Sequence, residues 1–330
     1  MYRSILKKIP YSFRKFLRMA TLPVQPESAR APMGQLWLDL PNAGQDALSR
    51  GDQYPSHYPD IAREVITEGF TILKGVVDSR LCDAVVEDYK QYLEKNRGYA
   101  DQYIDAKGRH HRLVNFHLLS ENAMKIGCHE EIMRVLDYLF GYKAGVYTSL
   151  TFEYGTEQPI HRDAPFFHTF PVNYFVGVWC ALEDIDPEAG PLMYVPGGHR
   201  FHCDQHALYQ RVRDENWEEK PDDWILRNAL EAYYGEVIKR SEVIGAKKYA
   251  VLQKGDVAIW HPQLPHGGAP AVNPQKTRRS VVFHCAPETL QVYQHDIFFQ
   301  YEKIEPPPPR YPFGSYHGRR YGLVGETLFQ

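Results

Sequence analysis

The sequence predicts a mainly β domain with flanking helices, in which short strands form a sandwich or barrel. Three observations carry this expectation. Helix-period segments fall early, β-type runs separated by Gly and Pro turns dominate from Val146 onward, and no repeat or interior linker divides the chain into two cores. The 330 residues are 43% hydrophobic and 24% charged, an ordinary globular balance with ample material for a core.

The elements follow in chain order. Residues 1–30 form a basic arm: Met1 to Pro26 holds no acid, and Arg3, Lys7, Lys8, Arg14, Lys15 and Arg18 alternate with Phe13, Phe16, Leu17 and Ala20 at helical spacing. It reads as a short amphipathic helix. Its basic face suits peripheral contact of residues 1–22 with an anionic membrane, and packing of its apolar face on the domain is the plainer alternative. Pro10 and the lack of a continuous apolar run argue against a secretory signal. A strand is expected at Gly69–Gly75, then a helix capped near Asp78-Ser79 and carrying Leu81, Val85, Val86, Tyr89 and Leu93. Ile132, Val135, Leu136 and Leu139, closed by Gly141, predict a second helix.

Strands then follow at 146–154, 174–185, 191–195, 249–252, 257–260 and 280–284. A helical insertion at about 205–248, marked by Leu226, Ala229, Leu230, Tyr233 and Val237, is expected to border the substrate entrance. The domain is thus drawn over 31–300, with a Pro/Tyr-rich tail over 301–330 that begins in the extended run Pro306–Pro309 and shows no clear period.

Composition excludes several functions. With 38 basic against 41 acidic residues the net charge is −3, which disfavours nucleic acid as partner. No apolar run approaches the ~18 residues of a membrane span. Five cysteines (Cys82, Cys128, Cys180, Cys203, Cys285), without a C-x-x-C, suggest neither a disulfide framework nor a zinc ribbon, and point to a reducing, cytoplasmic setting.

The chemistry concentrates in His161-Arg162-Asp163. On a strand, residues i and i+2 leave the same face, so an imidazole and a carboxylate converge. A third ligand is available in Trp260-His-Pro-Gln-Leu-Pro-His266-Gly-Gly, with His261 as the competing choice. Two histidines and one carboxylate leave open positions on a metal, an arrangement suited to Fe(II) and O2. Twelve residues beyond His266, Arg278 and Ser280 share a strand face, and a guanidinium fork with a hydroxyl suits a carboxylate.

These residues resemble the phytanoyl-CoA dioxygenase family of Fe(II)- and 2-oxoglutarate-dependent oxygenases, over roughly Ser56 to Pro287. The resemblance is carried by Gln158-Pro-Ile-His-Arg-Asp163, Trp179-Cys-Ala-Leu-Glu-Asp184, Ala189-Gly-Pro-Leu-Met-Tyr-Val-Pro-Gly-Gly-His-Arg200, Lys254-Gly-Asp256, His266-Gly and Arg278-Arg-Ser280. Gly198 stands where a Ser is usual, and the Lys or aromatic that often assists from an earlier strand has no assigned position. The resemblance implies a double-stranded β-helix (jelly-roll, cupin-like) core. It also implies iron on His161, Asp163 and His266, with the far carboxylate of 2-oxoglutarate on Arg278 beside Ser280. The implied cofactors are Fe(II), 2-oxoglutarate and O2, with ascorbate as a candidate reductant.

The implied activity is hydroxylation of an unactivated carbon in a small-molecule or lipid-like substrate, releasing succinate and CO2. Candidate substrate contacts are Phe166, Phe167, His168, Trp179 and His199. Asp163 argues against a halogenase, in which Gly or Ala replaces that carboxylate. The alternative from another class is a non-catalytic, metal-containing β-barrel that binds a ligand or partner.

Overall fold

The computed structural model describes residues 34–216, 220–299 and 307–330. The basic arm 1–30, and with it the membrane-contacting stretch 1–22, lies outside the described residues, as does Pro306. Among the described residues no helix is long and apolar enough to cross a membrane.

Helices come first. α1 (Ala43–Arg50) and α2 (Tyr58–Glu68) precede strand β1 (Phe70–Leu73), and Gly69, at φ 76°, ends α2 in the left-handed conformation that glycine adopts without cost. In α3 (Ser79–Lys95) the Asp78 carboxylate caps the first turn by accepting from the Arg80 N–H. Ser120 does the same at Ala123 for α4 (Glu121–Gly127), and α5 (Glu130–Phe140) stops at Gly141. The apolar faces of these helices lie on one side of a large sheet ordered β1-β7-β4-β9-β3-β11-β10. Its strands are β3 (Ala144–Phe152), β4 (Val176–Ala181), β7 (Val257–Trp260), β9 (Ser280–Pro287), β10 (Phe313–Tyr316) and β11 (Arg319–Gly322). The two-residue β2 (Leu113–Val114) joins β3 from the side, and β12 (Leu328–Phe329) pairs with β2.

The second sheet is small: β5 (Leu192–Tyr194) lies between β6 (Lys248–Ala250) and β8 (His266–Gly268). It faces the large sheet, and the gap is filled at one end by Phe70, Trp179, Ala258, Leu192 and Tyr194, with the Phe70 and Tyr194 rings stacked 3.9 Å apart. This is the jelly-roll core the sequence predicts, although helical residues outnumber strand residues.

The insertion forms two helices, α6 (Gln205–Asn216) and α7 (Asp222–Ile244), which bury Tyr209, Ala229, Tyr233 and Val237 against Ile160, Ala164 and Met193. The C-terminal residues, which showed no period in the sequence, are strands of the large sheet: β10 and β11 make a hairpin, and β11 runs parallel to β3 with Tyr321 opposite Val146.

Candidate active site

His161 is fixed by the backbone before its side chain acts. It exchanges two main-chain hydrogen bonds with His266, its N–H to the His266 carbonyl (2.9 Å) and the reverse (3.0 Å), so the segment 158–163 is zipped onto β8. Glycine is required beside it, since a Cβ on Gly267 would stand 2.6 Å from the Gln158 carbonyl oxygen.

Zipping brings three ligating groups together, with one donor atom from each of His161, Asp163 and His266 within 4.8 Å of the others. The Nε2 atoms of His161 and His266 lie 3.8 Å and 3.7 Å from Asp163 Oδ1. Both Nδ1 atoms face backbone carbonyls, His161 that of Pro159 (2.8 Å) and His266 that of Leu264 (3.0 Å). A carbonyl only accepts, so each Nδ1 carries the hydrogen and each Nε2 presents its lone pair inward. The remaining carboxylate oxygen, Asp163 Oδ2, accepts from the Trp260 indole N–H at 2.8 Å. Burial works to raise the Asp163 pKa, but His266, His284, His161 and the indole bond outweigh it and hold the group below its ordinary value. Burial pushes His161 down to about 4, so it is neutral and able to ligate near neutral pH.

A cavity of about 440 Å3 opens on this cluster, within the usual range for small-molecule sites. Arg278 lies in its wall, 4% exposed, its guanidinium 5.7 Å and 5.8 Å from the Trp179 and Phe152 rings. Among the described residues the guanidinium makes one hydrogen bond, from Nη1 to the Gly190 carbonyl (3.1 Å), while Nε has no partner and no carboxylate pairs with it. Burial alone lowers its pKa to about 10, so it remains a cation. Ser280 follows on the same inward face, its hydroxyl donating to the Arg278 carbonyl at 3.3 Å. Arg279, on the opposite face, is neutralised by Glu183 (3.1 Å) and Glu153 (3.3 Å).

The cavity takes in only some of the candidate substrate contacts. Phe166, Phe167 and Trp179 line it. His168 does not: its main chain pairs with Tyr293, and its ring turns to Phe170 and Phe298. His199 is also elsewhere, with its ring 5.2 Å from that of His261 beside Gly69. His261 faces Asp39, Nε2 to Oδ1 3.1 Å, and stands apart from the three-residue cluster. Among the described residues, none of the insertion lines the cavity; Tyr234 packs edge-on to His161 from outside.

Sequence reasoning left several cavity residues unassigned. Trp260 and Gln158 sit inside the quoted motifs, and Gln158 Nε2 reaches 3.2 Å from His161 Nε2. His284 shares the face of Arg278 by the count of two along the strand, which in the sequence suits a core histidine first and a barrel-lining one second, and it lines the cavity. Arg112 has no sequence signal, because the strand that follows it is only two residues long.

The fold and the cluster together define a double-stranded β-helix built around two histidines, a carboxylate and a buried arginine. The model of the phytanoyl-CoA dioxygenase (PhyH) family matches residues 66–280, about two thirds of the chain, and the chain belongs to that family. The peroxisomal phytanoyl-CoA dioxygenase of Bos taurus is 28% identical over 131 residues, covering 40% of this chain and 34% of the relative. The phytanoyl-CoA dioxygenase domain-containing protein 1 of Danio rerio is 26% identical over 165 residues, 48% of each chain. The matched stretches therefore span about a third to a half of these relatives.

Two solved structures share the fold. The epimerase SnoN, in complex with Fe3+, alpha ketoglutarate and nogalamycin RO, has a TM-score of 0.56 at 17% identity, covering 82% of this chain and all (100%) of that one. EctD from S. alaskensis, with 2-oxoglutarate and 5-hydroxyectoine, has a TM-score of 0.53 at 16% identity, covering 75% and 81%.

Proposed function

We propose that this protein is an Fe(II)- and 2-oxoglutarate-dependent dioxygenase that hydroxylates an unactivated carbon of a small-molecule or lipid-like substrate. One observation carries the reading: the three-residue cluster and a buried guanidinium without a carboxylate face the same cavity. The donor set fits the metal, since two imidazoles with Nδ1 on backbone carbonyls and one carboxylate oxygen are already oriented and the second oxygen is occupied. The cation fits the cosubstrate, because burying an unpaired guanidinium is costly unless an anion joins it.

Iron with 2-oxoglutarate and O2 supplies the oxidising chemistry, in which the cosubstrate becomes succinate and CO2 and one oxygen atom enters a C–H bond. The chain's part is positioning. His161, Asp163 and His266 would hold the metal where the cavity opens on them. Arg278 takes the far carboxylate of 2-oxoglutarate with Ser280 beside it, and the SnoN and EctD complexes support this choice of cosubstrate. Trp179, Phe152 and Trp260 keep water from the anchored end. Phe166 and Phe167 wall the substrate side.

The test is succinate formation: protein supplied with Fe(II), 2-oxoglutarate and ascorbate as reductant, under air, should release succinate at a rate that rises with a true substrate and vanishes in Asp163→Ala. No succinate above the Asp163→Ala background across lipid, sugar and amino-acid panels overturns the reading. The free cysteines suit a cytoplasmic setting. Residues 1–22 add a peripheral hold on anionic membranes, so full-length protein should sediment with anionic liposomes at low salt and a truncation starting at Gln25 should not.

A further inference from the structure

Arg112 is a second uncompensated cation of the same cavity. It lines the active-site cavity and also a second one of about 340 Å3, and the two share Arg112, Phe152, Thr156, Gln158 and Gln330. The two spaces form an inner chamber and an outer one, with Arg112 at the junction. Among the described residues no acidic side chain pairs with its guanidinium, and every acidic side chain around the outer chamber has another cation. Asp105 is held by Arg109 (2.9 Å), Glu157 by Lys107 (2.6 Å) and Arg109 (3.3 Å), and Glu153 by Arg279 (3.3 Å). The Gln330 N–H donates to the Arg112 carbonyl at 3.0 Å, so the pairing of β12 with β2 fixes its backbone. Arg112 lies near enough to Asp163 to feel its negative charge, whereas Arg278 feels no charged neighbour. The two guanidiniums therefore serve different ends of the cavity.

A charge count gives Arg112 its purpose, on the oxygenase reading above. Iron(II) brings two positive charges, Asp163 one negative, 2-oxoglutarate two negative and Arg278 one positive, which sum to zero with neutral histidines. Arg112 then leaves a single positive charge on a half-buried side chain of the cavity wall. We infer that the substrate carries one anionic group, a carboxylate or a phosphate ester, and that Arg112 receives it at the junction of the two chambers while an apolar body lies against Val114, Phe166 and Phe167. A planar guanidinium fork recognises either group with two parallel hydrogen bonds.

The test uses protein loaded with Mn(II) and 2-oxoglutarate, which does not turn over, titrated calorimetrically with hexanoate, hexyl phosphate, hexanol and hexylamine. We expect at least one anionic probe to bind about tenfold or more tightly than hexanol, as a charge-assisted pair at a half-buried site should give. The tighter of hexanoate and hexyl phosphate identifies the group. Arg112→Gln should bring that preference to within about threefold, Arg112→Lys should keep part of it, and 2-oxoglutarate affinity should change by less than about threefold in both. Equal binding of hexanol and both anions by the wild type overturns the inference. So does an Arg112→Gln protein that keeps the preference but loses about tenfold in 2-oxoglutarate affinity, which would assign Arg112 to the cosubstrate. Failure of wild-type protein to bind Mn(II) and 2-oxoglutarate at all overturns the oxygenase reading, and this inference with it.

Discussion

Strand β9 has two faces that live in different solvents. Outward, Val281, Phe283 and Cys285 lie in hydrocarbon against the helices, and Phe283 fits so closely that a Cβ on Gly127 would stand 2.6 Å from its ring. Inward, Val282 and His284 line the cavity, as does Arg278 just before the strand, and Ser280 shares their parity with its hydroxyl on the Arg278 carbonyl. The outer face is complete as it stands, its side chains buried in the apolar cluster beneath the helices. The inner face is less complete: among the described residues the Arg278 guanidinium has no carboxylate partner, and it borders the cavity onto which the three ligands open. Parity along one strand thus separates what stabilises the fold from what awaits a ligand.

Four experiments break or sharpen that contrast. The largest effect belongs to the ligands: His266→Ala should abolish Fe(II) binding in an anaerobic titration, while His261→Ala, which disturbs contacts with Asp39, His199 and Gln263 away from the cluster, should bind within about threefold of wild type. The reverse pattern would move the site. Next come the adjacent arginines. Arg278→Ala should weaken 2-oxoglutarate by roughly thirty- to several-thousand-fold, the equivalent of about 2–5 kcal/mol for truncating a buried charge pair. Arg279→Ala should stay within about threefold, since its own carboxylates are partly exposed.

The outer face should answer in stability alone. Phe283→Ala should cost about 3–5 kcal/mol in urea unfolding through lost burial and the cavity left behind. The affinity of the folded variant for Fe(II) should be unchanged; a loss there would show that the two faces are mechanically coupled.

The smallest effect is acid sensitivity of the metal-free protein. Burial lowers His117, on the outer side against Phe283, to about 3, and His284, on the inner side, to about 4. Unfolded histidines titrate near 6.5, so below that pH the unfolded chain binds more protons and stability falls as pH drops toward these folded values. Unfolding free energies at pH 7, 5.5 and 4.5 should decline, less steeply in His117→Gln. An identical slope would mean that His117 does not contribute.

Much of this was legible where a side chain's direction follows from counting. The i, i+2 parity of His161 and Asp163, and of Arg278 and Ser280, needs only that the backbone be extended, and caps such as Asp78 and Gly141 are local chemistry. Contacts set by the rest of the fold were not legible. His168 follows the site in sequence, but two turn bonds from the Asp163 carbonyl to the N–H groups of Phe166 and Phe167 bend the chain so that the next residue leaves for Tyr293. The C-terminal strands lack a hydrophobic period because glycine replaces side chains where neighbours crowd. A Cβ on Gly314 would lie 2.3 Å from the Tyr321 ring, and one on Gly322 lies 2.9 Å from the Tyr147 carbonyl oxygen. Arg112 was silent for a similar reason, its strand being defined by a partner more than two hundred residues later.

That late partner bears on how the molecule is made. β3 gains its parallel neighbour only when Tyr321 is available, and β2, already paired with β3, gains its second neighbour only with Leu328 and Phe329. A chain growing from the ribosome therefore holds all three metal ligands while one flank of its principal sheet is still bare. Long-range closures of this kind are slow, and an unpaired strand edge invites pairing with other chains. Nascent or clipped molecules ending before residue 313 would carry the ligands yet associate through β3, and a chaperone that shields this edge during synthesis would decide the yield of soluble protein.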